Sequence, residues 1–157
     1  MIKKYLMVFF VSMVPLVELR LAVPMAIGMG LPSLPSILVC ALGNMLPVPI
    51  IYLFARKVLL WGAHKPYIGK FFRFFLEKGE RGGRKLIKTA GRGGLFVALM
   101  LFVGIPVPGT GAWTGTLAAS FLDMGLKSTT LAVSLGVAIA GIIMAVTSSG
   151  LFAMLGF

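Results

Sequence analysis

The sequence predicts an all-α integral membrane protein: one membrane domain over residues 1–157, built from two repeats, each a proline- and glycine-broken hairpin followed by a transmembrane helix. Three observations lead there. Hydrophobic residues make up 59% of the 157 and charged residues only 12%, about half the share usual in soluble proteins, and the mean hydropathy is +1.02. A chain of this length has no interior large enough for so much apolar surface, so the bilayer must serve as solvent. The apolar residues fall into four blocks, the first and third interrupted by proline. Between the second and third lies a segment with eleven lysines and arginines against two glutamates, the pattern of a cytoplasmic loop.

Repeat 1 covers residues 5–55. Lys3 and Lys4 ahead of an apolar run resemble the start of a secretory signal, but Pro15, Glu18 and Arg20 interrupt the place where cleavage would fall, and none is expected. The first block, residues 5–31, carries Pro15 and Pro24 with Glu18 and Arg20 between them, and its helix is expected to break at these prolines. An ionisable side chain at membrane depth costs about 3 kcal/mol or more, and such a residue marks an ion or substrate path by default. Two positions apart, Glu18 and Arg20 point nearly opposite ways on a regular helix but share a face in extended backbone. Pro24 cannot donate to the carbonyl of Arg20, which leaves that oxygen for an ion, water or substrate. Glu18 is the candidate proton-binding group, in the first turn of a helix starting at Pro15, and Arg20 positions it or holds an anion. The plainer alternative is a structural pair satisfied by the other hairpin.

The second block, Leu34 to Phe54, is long enough to span. Asn44, Pro47 and Pro49 kink its later half, and the Asn44 amide either lines the path or bonds a neighbouring helix. Cys40 has no partner for an intrachain disulfide or a cysteine-based metal site, and the solitary His64 is read as structural.

The basic linker covers residues 56–93. Pro66 starts a helix in which Ile68, Phe71, Phe72, Phe75 and Leu76 form one apolar stripe, flanked by Lys70, Arg73 and Lys78. This predicts an amphipathic helix in the cytoplasmic interface. Gly79 to Gly94, with Arg81, Arg84, Lys85, Lys88 and Arg92, is read as a loop returning to the membrane, its cations drawn to anionic lipid or holding an anionic ligand. The net charge of +11 does not indicate nucleic acid, because residues 56–92 carry +9 of it between hydrophobic segments.

Repeat 2 covers residues 94–157. Its broken block, Leu95 to Leu122, is interrupted at Pro106 and Pro108, followed by Gly109, Thr110, Gly111, Trp113, Thr114 and Gly115. Irregular backbone at this depth is tolerated only where protein or a water-filled cavity covers it, so this block should face the first across a shared cavity. Trp113 either packs on a ligand or plugs the hairpin tip, and Gly111-x-x-x-Gly115 also permits close helix packing. Asp123 is interfacial or a second proton site. The last block, Ser128 to Phe157, is unbroken by proline.

Met29-Gly30-Leu31-x-Ser33 is echoed by Met124-Gly125-Leu126-x-Ser128, so both halves share one plan, and discontinuous segments in equivalent positions point to a transporter core. Two topologies fit. Broken blocks that cross give four spans, parallel repeats and cytoplasmic termini; re-entrant blocks give two spans, inverted repeats and external termini. Both put the basic segment inside.

Glu18-Leu-Arg20-x-Ala22-x-Pro24, Gly43-Asn44-x-x-Pro47-x-Pro49 and Pro106-x-Pro108-Gly109-Thr110-Gly111-Ala112-Trp113-Thr114-Gly115 together resemble the putative small multidrug export protein family over nearly the whole chain. That family is in turn similar to the DedA/VTT superfamily of opposed re-entrant hairpins. The resemblance implies the inverted topology, a proton-linked transporter or lipid translocase, and Glu18 as the first hairpin's acidic residue. DedA proteins typically place an arginine in the second hairpin, where Pro106 to Gly115 is uncharged.

The expected function is a small secondary transporter in a bacterial or archaeal cell membrane, exporting a small molecule by proton coupling, without cofactor or metal, as a homodimer. A lipid-phosphate translocase or scramblase is the first alternative and a non-transporting scaffold the second. An enzyme is not expected, since no Ser-His, Cys-His or paired-carboxylate set is present.

Overall fold

A computed structural model describes residues 1–90 and 94–154. Helix accounts for 81% of the described residues, and no strand occurs among them. The helices are α1 (Ile2–Met13), α2 (Glu18–Gly28), α3 (Ser33–Met45), α4 (Val48–Ile50), α5 (Arg56–Ala63), α6 (Gly69–Ala90), α7 (Leu95–Gly104), α8 (Ala112–Phe121) and α9 (Leu126–Met154), with a π-helical turn at Ile51–Ala55.

Among the described residues two helical stretches are long and apolar enough to cross a bilayer: Ser33–Ala55, 23 residues, and Leu126–Leu151, 26 residues. The core helix of a soluble protein would be mostly buried. Here only 33% and 44% of the apolar windows are, and Leu38, Leu42, Ile50, Leu131, Leu135, Ile142 and Val146 face outward. An apolar exterior of this extent is the signature of a lipid-facing surface.

The first broken block is a helical hairpin, α1–α2, and the third is another, α7–α8. Their arms of 10 to 12 residues rise only about 15–18 Å, against the roughly 30 Å of a hydrocarbon core. The two long helices run antiparallel. At one end the Gly125 N–H donates to the Tyr52 hydroxyl at 2.9 Å; at the other the Ser33 and Ser149 hydroxyls lie 3.5 Å apart. The α1–α2 hairpin opens at the Ser33 end, where Lys4 Nζ donates to the Met29 carbonyl at 2.7 Å. The α7–α8 hairpin joins the linker and α9 at the Tyr52 end. Their tips therefore approach each other from opposite ends.

Small residues let these helices close on one another, as association in lipid requires. A Cβ on Gly136 of α9 would stand 2.7 Å from the Met100 carbonyl and from Val103 Cβ of α7. Gly43 of α3 lies so close to α1 that a Cβ would overlap Ser12 Oγ. The core runs between the hairpins and α9, with Val8, Leu19, Val23, Leu99, Val103, Val133 and Val137 all essentially inaccessible.

Two expected breaks are absent. Pro24 lies inside α2, which continues to Gly28, so the first block breaks at Pro15 alone. The carbonyl that loses its proline partner belongs to Arg20, in the loose first turn of α2, and Ala22, Val23 and Ala26 are completely buried around it. Nor is the glycine-rich segment a loop as far as Ala90: α6 continues through Gly79, Gly82 and Gly83 to that residue, and residues 91–93 lie outside the described ones. Each glycine costs a helix about 1 kcal/mol relative to alanine. Tertiary packing overrides that cost, because Gly79 is a closest-approach point to α8, where a Cβ would sit 2.7 Å from Leu117 and Phe121 side-chain atoms.

The two Met-Gly-Leu turns are also not superposable position for position. In the first, Leu31 N–H bonds the Ala26 carbonyl and Gly30 N–H bonds that of Ile27, with Gly30 at φ +76°: a Schellman cap. In the second, Met124 N–H bonds the Ala119 carbonyl, and the left-handed residue inside that bond is Asp123, at φ +49°.

Candidate functional site

The hairpin tips meet at Glu18 and Arg20. Pro15 ends the first arm, and the chain turns through Leu16 at φ +74° and Glu18 at φ +50°, both left-handed. Each such non-glycine residue costs roughly 1–2 kcal/mol. The left-handed Glu18 resolves the geometric choice posed by its spacing to Arg20, since it turns the carboxylate back so that both side chains reach the second hairpin.

That second tip is chemically divided. Pro106 and Pro108 supply no N–H, so the segment Ile105–Thr110 has carbonyls in excess of donors. Gly109 makes the turn at φ +87°, a conformation suited to glycine. Thr110, buried, gathers the acceptors: its hydroxyl lies 3.1 Å from the Ile105 carbonyl and 2.8 Å from that of Val107. At Ala112 the α8 helix begins, and its first N–H groups have no intrahelical partner.

Arg20 and Glu18 fit the two halves. The Arg20 guanidinium donates to the carbonyls of Val107 and Thr110, to the Ile105 carbonyl at 3.3 Å and to Thr110 Oγ1 at 2.9 Å. Glu18 accepts the Ala112 N–H at 3.2 Å and the Trp113 N–H at 3.0 Å. A carboxylate at a helix N-terminus is favoured by both the orphan donors and the helix dipole. Gly111 lies so close that a Cβ there would overlap the Glu18 carboxylate. The Trp113 indole N–H then returns across the joint to the Met13 carbonyl at 3.1 Å.

A cavity of about 280 Å³ lies on the linker side of this joint. Its polar wall is Glu18, Arg20, Lys78, Thr114 and the Gly109 and Gly111 backbone; its apolar wall includes Ile51, Ala55 and Leu59, Phe71 and Phe75, and Trp113 and Leu117. Ile51 and Ala55 are the ends of the π turn, a distortion that recurs at functional sites.

Of the residues singled out from the sequence, Glu18, Arg20, Gly109, Gly111, Trp113 and Thr114 line this cavity. Thr110 bonds into the joint, and Pro106 and Pro108 shape it without lining the cavity. Pro24 and Asn44 stand apart from it; Asn44 is buried in α3, and its Oδ1 has no hydrogen-bond partner, so it makes no interhelical bond there. Lys70, Arg73, Arg81, Arg84, Lys85 and Lys88 are exposed along α6, and Arg92 lies outside the described residues. Lys78 is corrected from the flank of the amphipathic stripe to its cavity face. Phe71, Phe75 and Lys78 are spaced i, i+4, i+7, so the helical period already placed a lysine on the apolar side. The π turn and Leu59 left no such signal.

A helical protein with two long apolar helices, an apolar exterior and a charged joint between two broken helices is an integral membrane protein. The model of the family described as "Putative small multi-drug export protein" matches residues 18–143, and the chain belongs to that family. No curated protein and no solved structure matches the chain.

Proposed function

We propose that this protein is a small secondary transporter whose path runs through the joint between the hairpin tips, with export coupled to protonation of Glu18. The observation that carries the reading is the double engagement of Glu18 and Arg20 with the second tip at the floor of a cavity. The family description, small multi-drug export, agrees with transport.

In this reading both hairpins are re-entrant and the halves are inverted repeats. The short arms and the entry of the hairpins from opposite ends support it, as does the DedA/VTT resemblance. The linker then lies in the cytoplasm by its charge, and the cavity opens inward. A carboxylate holds two backbone donors more strongly than a carboxylic acid does. Protonation of Glu18 therefore loosens the α8 N-terminus, and rebinding of the carboxylate closes it. The working unit is a homodimer, since one chain of 157 residues encloses little by itself. A lipid-phosphate translocase is the second reading, favoured by the row of exposed cations on α6.

The test is flux in proteoliposomes under an imposed pH gradient, with cationic and anionic dyes, wild type beside Glu18→Gln. Gradient-dependent flux that disappears in the variant is expected. Lipid movement indifferent to the gradient would move the reading to translocase, and a folded wild type that moves nothing would leave a scaffold.

A further inference from the structure

Three charged side chains line the cavity, and they are not equally available. Both Glu18 oxygens are occupied by the α8 N-terminus. The Arg20 guanidinium is turned into the carbonyls of the second tip. These two charges cancel, and both are spent on holding the hairpins together. Lys78 is different. It is half-buried on the cavity face of α6, and makes no hydrogen bond or ion pair with any described residue. Its Nζ rests 5.1 Å from the Phe74 ring centroid and 3.5 Å from where a Cβ on Gly109 would stand. Glu18 feels it only through space.

The cavity lining thus carries a net charge of +1, with Lys78 the cation not engaged in the joint and a largely apolar wall opposite it. A half-buried ammonium held only by a cation–π contact, with no ionic partner, is under-compensated, and an arriving anion supplies what it lacks. Aromatic and aliphatic surface fills the rest of the wall: Phe71, Phe75, Trp113, Ile51 and Leu59. At about 280 Å³ the space falls just under the roughly 300–1,000 Å³ of small-molecule sites.

We propose that the cavity binds an amphipathic organic monoanion, with its acidic head on the Lys78 ammonium beside Gly109 and its apolar body between Phe71, Phe75 and Trp113. The proposal rests on the transport reading of the same cavity and names its substrate class. A hydrophobic cation, by contrast, would meet Lys78 with like charge and find the Glu18 carboxylate already bonded. The acidic head belongs either to a lipid or to a soluble molecule.

The experiment uses the full chain in phosphatidylcholine nanodiscs with Trp61→Phe, which leaves Trp113 as the sole tryptophan. Three size-matched bromine quenchers are titrated: 4-bromobenzenesulfonate, 4-bromobenzyl alcohol and 4-bromobenzylammonium. The sulfonate is expected to half-quench Trp113 at a concentration at least about tenfold below the other two, a preference lost in Lys78→Gln and kept in Lys78→Arg. Equal or tighter action of the ammonium, or a Lys78→Gln protein of unchanged helicity that keeps the preference, overturns the proposal. Adding phosphatidylglycerol identifies the source: competition assigns the head to lipid, and its absence assigns it to a soluble acid. Because no gradient is imposed, sulfonate binding without flux retires the transport reading alone. Dye flux with no preference among the three quenchers retires this one alone.

Discussion

Glu18 and Trp113 bind the two hairpins in both directions: the carboxylate takes the Trp113 backbone N–H at 3.0 Å, and the indole N–H gives a bond back to the Met13 carbonyl at 3.1 Å. Glu18→Ala would orphan the N–H groups of Ala112 and Trp113 together. Each orphaned buried donor costs about 1–3 kcal/mol, so this variant should be among the least stable single substitutions in the protein. Thermal unfolding in detergent, followed by tryptophan fluorescence, measures it, and an unchanged midpoint would show that the joint bears no stability.

Gly111→Ala should separate steric from conformational demand. Its Cβ would overlap the Glu18 carboxylate, whereas at Gly125 a Cβ meets nothing within 4 Å and only the φ of +82° opposes it. Gly125→Ala should cost about 1–2 kcal/mol. Gly111→Ala should cost more and abolish flux; a smaller loss at Gly111 would contradict the contact.

Leu16→Gly should stabilise. Leu16 is 54% exposed at φ +74°, so little packing is lost and backbone strain is released. After the added entropy of the unfolded glycine, a net gain of about 0.5–1 kcal/mol is expected in the same unfolding assay. A loss would mean that the leucine side chain packs productively at the tip.

Thr110→Val keeps the shape and removes the hydroxyl that both meets Arg20 and lies within bonding distance of Ile105 and Val107. About 1–2 kcal/mol should be lost, with Thr110→Ser recovering most of it. Arg20→Lys should not rescue Arg20→Ala, because an ammonium cannot span carbonyls that the planar guanidinium bridges.

Much of this arrangement was legible in the sequence. Pro106 and Pro108 marked the break that separates α7 from α8, and Glu18 with Arg20 marked the tip of the first hairpin. Pro24 misled, because burial of Ala22, Val23 and Ala26 outweighs one missing helical bond. Gly79 misled in the same way, since low helix propensity and the need for close approach look alike in a single sequence. The left-handed Glu18 carried no signal at all. Its conformation follows from what it touches ninety-four residues away at Ala112, and no local rule contains that.

Gly79→Val should pry α6 from α8, through contact with Leu117 and Phe121. Trypsin cleavage at Arg81 and Arg84 should then quicken several-fold relative to wild type, as local opening becomes easier. An unaltered cleavage rate would place the seam elsewhere.

That seam has a thermodynamic consequence. α8 is pinned at its first turn by Glu18 and along its flank by a glycine-faced helix of 22 residues, with no loop to decouple the two attachments. Freeing the tip therefore cannot be charged to two hydrogen bonds alone; its free energy includes whatever displacement α6 undergoes along its contact with α8. The joint and α6 are expected to act as one cooperative unit, so a perturbation measured at either should register at the other.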